Sequence, residues 1–154
     1  GFLLAPPKVV AAASRLQGHT TSGATTVSQI GALAALTDPA CEQAVQDMHA
    51  AFTRRREFML AGLAALPGVD TFPPDGAFYL YSDISRHIGP GTAFADDLAF
   101  ATWLLEQKLV ATVPGTAFGA PGHLRISYAT DDASLKLGLE RLAEAFAELP
   151  TARG

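Results

Sequence analysis

The sequence predicts an α+β fold: a mostly antiparallel sheet covered by helices, preceded by a helical arm and a strand that read as part of another layer. Three observations carry the prediction. From about Val69 onward the order is strand, strand, helix, strand, strand, helix, with Pro-Gly punctuation between runs. Before it, Asp38-Pro39 opens the longest helical pattern, apolar at Val45, Met48, Phe52, Met59, Leu63 and Leu66. Finally, Leu124 to Ala129 alternates strictly, so Leu124, Ile126 and Tyr128 share one face of a strand and Arg125, Ser127 and Ala129 the other.

The elements follow in chain order. Phe2 to Ala5 is a strand-like apolar run entered directly from Gly1, so the chain reads as cut from something longer. Pro6-Pro7 starts a helix with Val9, Val10, Ala13 and Leu16 at helical spacing, and Gly18 is expected to end it. His19 to Thr26 is polar and hydroxyl-rich. Val27 to Leu36 forms a second helix, whose Gly31, Ala32, Ala34 and Ala35 suit either internal helix packing or a subunit contact. The long helix is expected from about Ala40 to Leu66, stopping at Pro67-Gly68, and its length lets it bridge two domains. Val69 to Phe72 and Ala77 to Tyr81 read as two antiparallel strands around the turn Pro73 to Gly76. A helix from about Thr92 to Lys108 presents Phe94, Leu98, Ala101 and Leu105. The run Val110 to Val113, stopped by Pro114-Gly115, and the run Leu124 to Ala129 supply two more strands. The last helix starts at a cap around Thr130-Asp131, carries Leu135, Leu139, Leu142, Phe146 and Leu149, and stops at Pro150.

Composition narrows the function classes. Nearly half of the 154 residues are hydrophobic, enough for a core, and the formal net charge of -4 disfavours a nucleic-acid or anionic-membrane surface. Arg54-Arg55-Arg56 is expected to be a solvated face. The single cysteine, Cys41, fits a helix start and a reducing, cytoplasmic compartment. The apolar opening is too short, and too broken by proline, for a signal peptide or membrane span. His19, His49, His87 and His123 are scattered and lack metal-ligand spacing, so each is expected at the surface or in a cap. Gly115 to Gly119 lacks the lysine of a phosphate loop, and Ser127 lacks a nucleophile elbow. Arg125 stands out. The strand pattern leaves it two readings: an ordinary surface charge, or a planar fork of donors gripping a carboxylate in a cleft.

Three motifs in register suggest a family. Asp75-Gly76-Ala77-Phe78-Tyr79, Val113-Pro114-Gly115-Thr116-Ala117-Phe118-Gly119 and Leu124-Arg125-Ile126-Ser127-Tyr128-Ala129 resemble the C-terminal part of class I aminotransferases, fold type I of the pyridoxal-phosphate enzymes. The resemblance covers residues 1 to 149 in order, and Gly1 to Pro6 looks like the strand after the cofactor-lysine loop. It is similar to the aspartate or broad-specificity prokaryotic branch. In such enzymes a lysine forms a Schiff base with the cofactor and then moves the α-proton, while the ring acts as electron sink.

The resemblance therefore implies several roles. Arg125 matches the arginine that holds the substrate α-carboxylate, and Phe78 an aromatic lining the substrate pocket. Thr20, Thr21 and Ser22 fall where a partner subunit approaches the active site, implying a homodimer. Residues 1–39 would be a remnant of the large cofactor domain, 40–68 a connecting helix, and 69–149 the small C-terminal domain. Partners would be an amino acid, aspartate among the candidates, and a 2-oxo acid. The cofactor lysine and the phosphate-binding arginine lie upstream of Gly1 in the family, and Lys8, Lys108 and Lys136 do not match the lysine's position. The chain alone is therefore expected to hold no catalytic residue, to bind no pyridoxal phosphate and to be inactive. Two other readings remain open: a lyase of the same fold, and a non-catalytic α+β interaction or ligand-binding module.

Overall fold

A computed structural model describes residues 2–149. By internal contacts the chain divides into two compact units, residues 1–47 and 48–154, the division falling within one long helix.

The first unit holds α1 (Pro7–Thr20), α2 (Thr26–Thr37) and the start of α3 (Pro39–Ala64). Phe2 to Pro6 form no strand, because no neighbouring strand pairs with their backbone; Gly1 lies outside the described residues. Pro7 stands in the first turn of α1, where a missing N–H costs nothing. The helix passes through Gly18 instead of ending there, and Thr20 Oγ1 donates back to the carbonyls of Leu16 and Gln17. A single interior glycine costs only about 1 kcal/mol, too little to stop a helix alone. Thr25 caps α2 by accepting the Ser28 amide, and Asp38 Oδ1 accepts the Ala40 amide at the start of α3. No residue of α1 or α2 is buried, and α2 exposes Val27, Ile30, Leu33 and Leu36. Cys41 stands in the first turn of α3.

The second unit is built on an antiparallel sheet of order β1-β2-β4-β3, comprising β1 (Asp70–Phe72), β2 (Tyr79–Asp83), β3 (Val113–Pro114) and β4 (His123–Ser127). Leu80 and Ser82 on β2, and Leu124 and Ile126 on β4, are buried on one face. Against that face pack Leu63 and Met59 of α3, Phe100 and Leu104 of α4 (Asp97–Lys108), and Leu135, Leu139, Leu142 and Phe146 of α5 (Asp132–Ala147). Burying one such side chain fully contributes about 1.5–3 kcal/mol, so this cluster is what orders the sheet. Gly62 lets α3 and α5 close in, since a Cβ there would run into the side chain of Leu139.

Several expected boundaries move. β2 begins two residues after Ala77, because Ala77 takes the left-handed conformation (φ 66°) and ends the preceding turn. α4 begins at Asp97 rather than Thr92. Asp96 is the cap that accepts the Ala99 amide, whereas the Thr92 hydroxyl closes the preceding loop on the carbonyls of Gly89 and Phe94. Its buried stripe is accordingly Asp97, Phe100, Ala101 and Leu104, leaving Leu98 and Leu105 exposed. β3 is not the run Val110 to Val113, for it includes Pro114; the strand lies at the sheet edge, where a missing N–H is tolerated. α5 is capped by Asp131 and buries Leu135, Leu139, Leu142 and Phe146 as expected, but it ends at Ala147, before Leu149; Pro150 lies outside the described residues.

Two side-chain expectations are overturned. His87 is a core residue, 2% exposed, with Nε2 at 2.7 Å from the Pro67 carbonyl and its ring edge-on to Phe146 at 4.9 Å. That carbonyl, twenty residues back in sequence, satisfies Nε2, while Nδ1 is buried without a hydrogen-bond partner among the described residues. The arginine triplet is solvated only at Arg54. Arg55 Nε donates to Asp132 on α5 at 2.8 Å, and Arg56 donates to the Pro74 carbonyl in the β1–β2 turn. Among the described residues no helix is long and apolar enough to cross a membrane.

Candidate substrate-carboxylate site

The helices cover one face of the sheet, and the strand period places Tyr79, Tyr81, His123 and Arg125 on the other. Register decides who meets whom. Tyr81 and Val113 stand directly opposite Arg125 on the two flanking strands, and Tyr79 stands opposite Ser127. Arg125 is half-buried. Its guanidinium lies 4.6 Å from the ring centroid of Phe118 and 5.2 Å from that of Tyr79. Stacking of this kind suits a guanidinium more than an ammonium and contributes about 0.5–1 kcal/mol per ring. Among the described residues no carboxylate pairs with Arg125 and no hydrogen bond engages it, so its donor fork remains free.

The wall carrying Phe118 is a tight turn, Gly115–Phe118, wound as a short 3-10 helix between β3 and β4. Gly115 sits so close to β4 that a Cβ would collide with the Ala120 carbonyl and approach His123 Cβ to 2.9 Å. Three hydrogen bonds hold the turn. The Tyr81 hydroxyl donates to the Gly115 carbonyl at 3.3 Å, and the Thr116 amide and hydroxyl donate to the two carboxylate oxygens of Asp97 at 2.8 and 2.7 Å. Asp97 is 1% exposed at the first residue of α4. Burial pushes its carboxyl up, but the bonds from Thr116, joined by the Gly122 amide, outweigh burial and hold it below the usual carboxylate range. The Tyr81 phenol moves the other way: burial raises it first, the Asp97 charge adds to this, and Arg125 opposes.

Phe78 comes to the site through its neighbour. It is half-exposed and meets Tyr79 edge-on at 5.8 Å, while its carbonyl accepts the Tyr128 amide. The Tyr128 hydroxyl donates to the Ala77 carbonyl and pins the strained residue before it. Phe78 and Arg125 thus each meet the Tyr79 ring, while Phe78 itself lines a cleft with His49, Phe52, Arg56 and Tyr128. Thr20, Thr21 and Ser22 belong to the first unit, exposed at the C-terminal end of α1, where Ser22 adopts a left-handed φ of 62°. Sequence reasoning missed Tyr79, Tyr81, Phe118, Thr116 and Asp97. The two tyrosines carried a signal, since they alternate in phase on a strand antiparallel to that of Arg125.

Comparison with known proteins decides the family. The model described as aminotransferase class I and II matches residues 1–142. The chain belongs to the class I and II aminotransferase family. It is 38% identical over 149 residues to a probable aspartate/prephenate aminotransferase of Aquifex aeolicus, covering 97% of this chain and 37% of that protein. It is likewise 38% identical to an aspartate aminotransferase of Rhizobium meliloti, covering 94% of this chain and 36% of the relative. The crystal structure of the aspartate aminotransferase from Rhizobium meliloti superposes with a TM-score of 0.82 at 36% identity, over 94% of this chain and 37% of that one. An aromatic aminotransferase structure from Pyrococcus horikoshii gives 0.83 at 32% identity, over 94% and 37%. The chain therefore spans little more than a third of the length of these family members.

Proposed function

We propose that this chain is the substrate-gripping C-terminal part of a pyridoxal-phosphate-dependent aminotransferase, which moves an amino group between an amino acid and a 2-oxo acid. Arg125 carries the reading: a half-buried cation, stacked on two aromatic rings and free of any carboxylate among the described residues, in a member of the aminotransferase family. Its fork would take the substrate α-carboxylate through two charge-assisted hydrogen bonds and orient the adjoining Cα, with Phe78 and Tyr79 shaping the space beside it. Aspartate is the first donor to test, in view of the relatives' names.

The residues on this face fit a carboxylate and not the cofactor itself. Lys108 is tied to both oxygens of Glu148 at 2.7 and 2.6 Å, and Lys136 stands exposed on α5; both helices cover the opposite face of the sheet. The electron-sink chemistry of pyridoxal phosphate would then be held by residues outside this chain, and no proton-transfer step is assigned to any residue within it. On this reading residues 1–39 belong to the large cofactor domain, 40–68 connect the domains and 69–149 form the small one. Thr20, Thr21 and Ser22 would approach the pocket of a second subunit in a homodimer. The exposed apolar residues of α2 support such a covering, and the free thiol Cys41 supports a reducing, cytoplasmic setting.

The test uses the full-length gene product, supplied with aspartate and 2-oxoglutarate. Glutamate and oxaloacetate should form without free ammonia; ammonia released without a new amino acid would instead indicate lyase chemistry. Arg125→Lys keeps the charge but loses the fork, worth about 2 kcal/mol for one charge-assisted hydrogen bond, so kcat/KM should fall about thirtyfold. An unchanged kcat/KM would remove Arg125 from the site.

A further inference from the structure

We infer that Asp97 and Thr116 form a positioning pair that sets the carboxylate grip by fixing Phe118 against the guanidinium of Arg125, a role neither the family match nor the relatives' names assign. The inference rests on the assignment of Arg125 above. A buried carboxylate is costly unless its lone pairs are satisfied. Asp97 meets that cost without a cation: each of its two oxygens accepts from Thr116, one from the amide and one from the hydroxyl, with the Gly122 amide adding to them. As a helix cap it is redundant, because Asp96 already accepts the Ala99 amide. Its bonds reach instead to the turn two positions before Phe118, and Phe118 is the nearer of the two rings stacked on Arg125. The turn has little other freedom. The Tyr81 hydroxyl holds its first carbonyl, and Gly115 is wedged against β4.

The mechanical consequence is specific. Without the Thr116–Asp97 bonds the turn stays fixed at Gly115 but the half leading to Phe118 loses its anchor, so Phe118 is held less firmly over the guanidinium and the long arginine side chain regains rotamers that misdirect its fork. A displacement of that kind weakens ligand binding rather than removing a reacting group. Asp97 and Thr116 therefore act through Arg125.

The experiment measures maleate, a non-reacting dicarboxylate, binding to the full-length enzyme by calorimetry, alongside KM and kcat for aspartate. Thr116→Val should weaken maleate about tenfold and raise KM similarly, with kcat changed far less. Thr116→Ser, which restores the hydroxyl, should return both values. In an Arg125→Lys background, Thr116→Val should add little further loss, because the two act on one contact. Normal maleate affinity in Thr116→Val, while Arg125→Lys remains weakened, would overturn the inference and leave the carboxylate assignment standing; full additivity of the two losses would also overturn it. Unchanged maleate binding in Arg125→Lys would overturn the assignment itself. If Thr116→Val does not fold, Phe118→Leu, at a half-exposed position, reads the same wall: it should weaken maleate severalfold, and an unchanged affinity would count against the inference.

Discussion

Replacing Gly115 with alanine tests how tightly the aromatic wall is wedged onto the sheet. Gly115 has no left-handed backbone to protect, so the substitution probes space alone. The added methyl would overlap the Ala120 carbonyl, and it would lie 2.9 Å from His123 Cβ and 3.0 Å from the His123 carbonyl. Two of those three neighbours are backbone, one of them on β4, which is held by β2 on one side and β3 on the other. Neither can swing away as a flexible side chain would. Overpacking of this kind costs about 1–3 kcal/mol, and the rigid neighbours favour the upper half of that range. If the turn instead lifts off, it loses the Tyr81–Gly115 bond and strains both Thr116–Asp97 bonds, at about 1 kcal/mol or more each. Either route predicts a loss of about 2–3 kcal/mol, which for a unit of this size lowers the thermal midpoint by roughly 8–20 °C. Calorimetric melting of Gly115→Ala beside the unaltered protein measures it. A midpoint within 2 °C of the parent would refute the close approach, and with it the claim that Phe118 is rigidly placed.

Three further outcomes follow from the same contacts. Asp97→Asn should cost about 1–3 kcal/mol at neutral pH, since one of its two bonds to Thr116 loses its acceptor. Because the folded carboxyl is held below its unfolded value, its contribution is full above about pH 4 and fades as pH falls further; urea midpoints of the two proteins should therefore converge in acid, and a constant difference down to pH 2 would contradict this. His87→Ala should lose about 2–4 kcal/mol by urea titration, from a cavity beside Phe146 and an orphaned Pro67 carbonyl. Asp132→Asn breaks an ion pair whose acid is 74% exposed, and should shift stability by less than about 1 kcal/mol in the same assay.

What could be read in the sequence was what repeats locally. The period of two placed Leu124, Ile126 and Tyr128 inward and Arg125 outward, and all three apolar residues are buried. The last helix was legible because Asp131, its cap, and a heptad-like stripe agree. Where two polar residues competed to start a helix, local pattern failed: Thr92 and Asp96 are both competent caps, and only the loop bridge between Ile88 and Phe94 commits Thr92 to the turn before the helix. Pro114 misled for a related reason. It breaks a central strand but not an edge one, and edge position is a property of the whole sheet.

The candidate site was half legible, for a physical reason. A lone arginine on a strand has the same alternation whether its face meets water or forms a pocket wall, so periodicity cannot choose between them. What bears on the choice is residues distant in sequence and close in space: Tyr79, diagonal to Arg125 on β2, and Phe118, delivered by a turn whose anchor, Asp97, is nineteen residues upstream of Thr116. Motif resemblance pointed to Arg125 because a motif records the outcome of such long-range contacts without stating them. It could not find Asp97, whose carboxylate bonds the amide and hydroxyl of Thr116 in the turn and would lie one step removed from any ligand. Residues of that kind become visible only when one asks what a buried charge is bonded to, and here both carboxylate oxygens lead through Thr116 to the turn that carries Phe118.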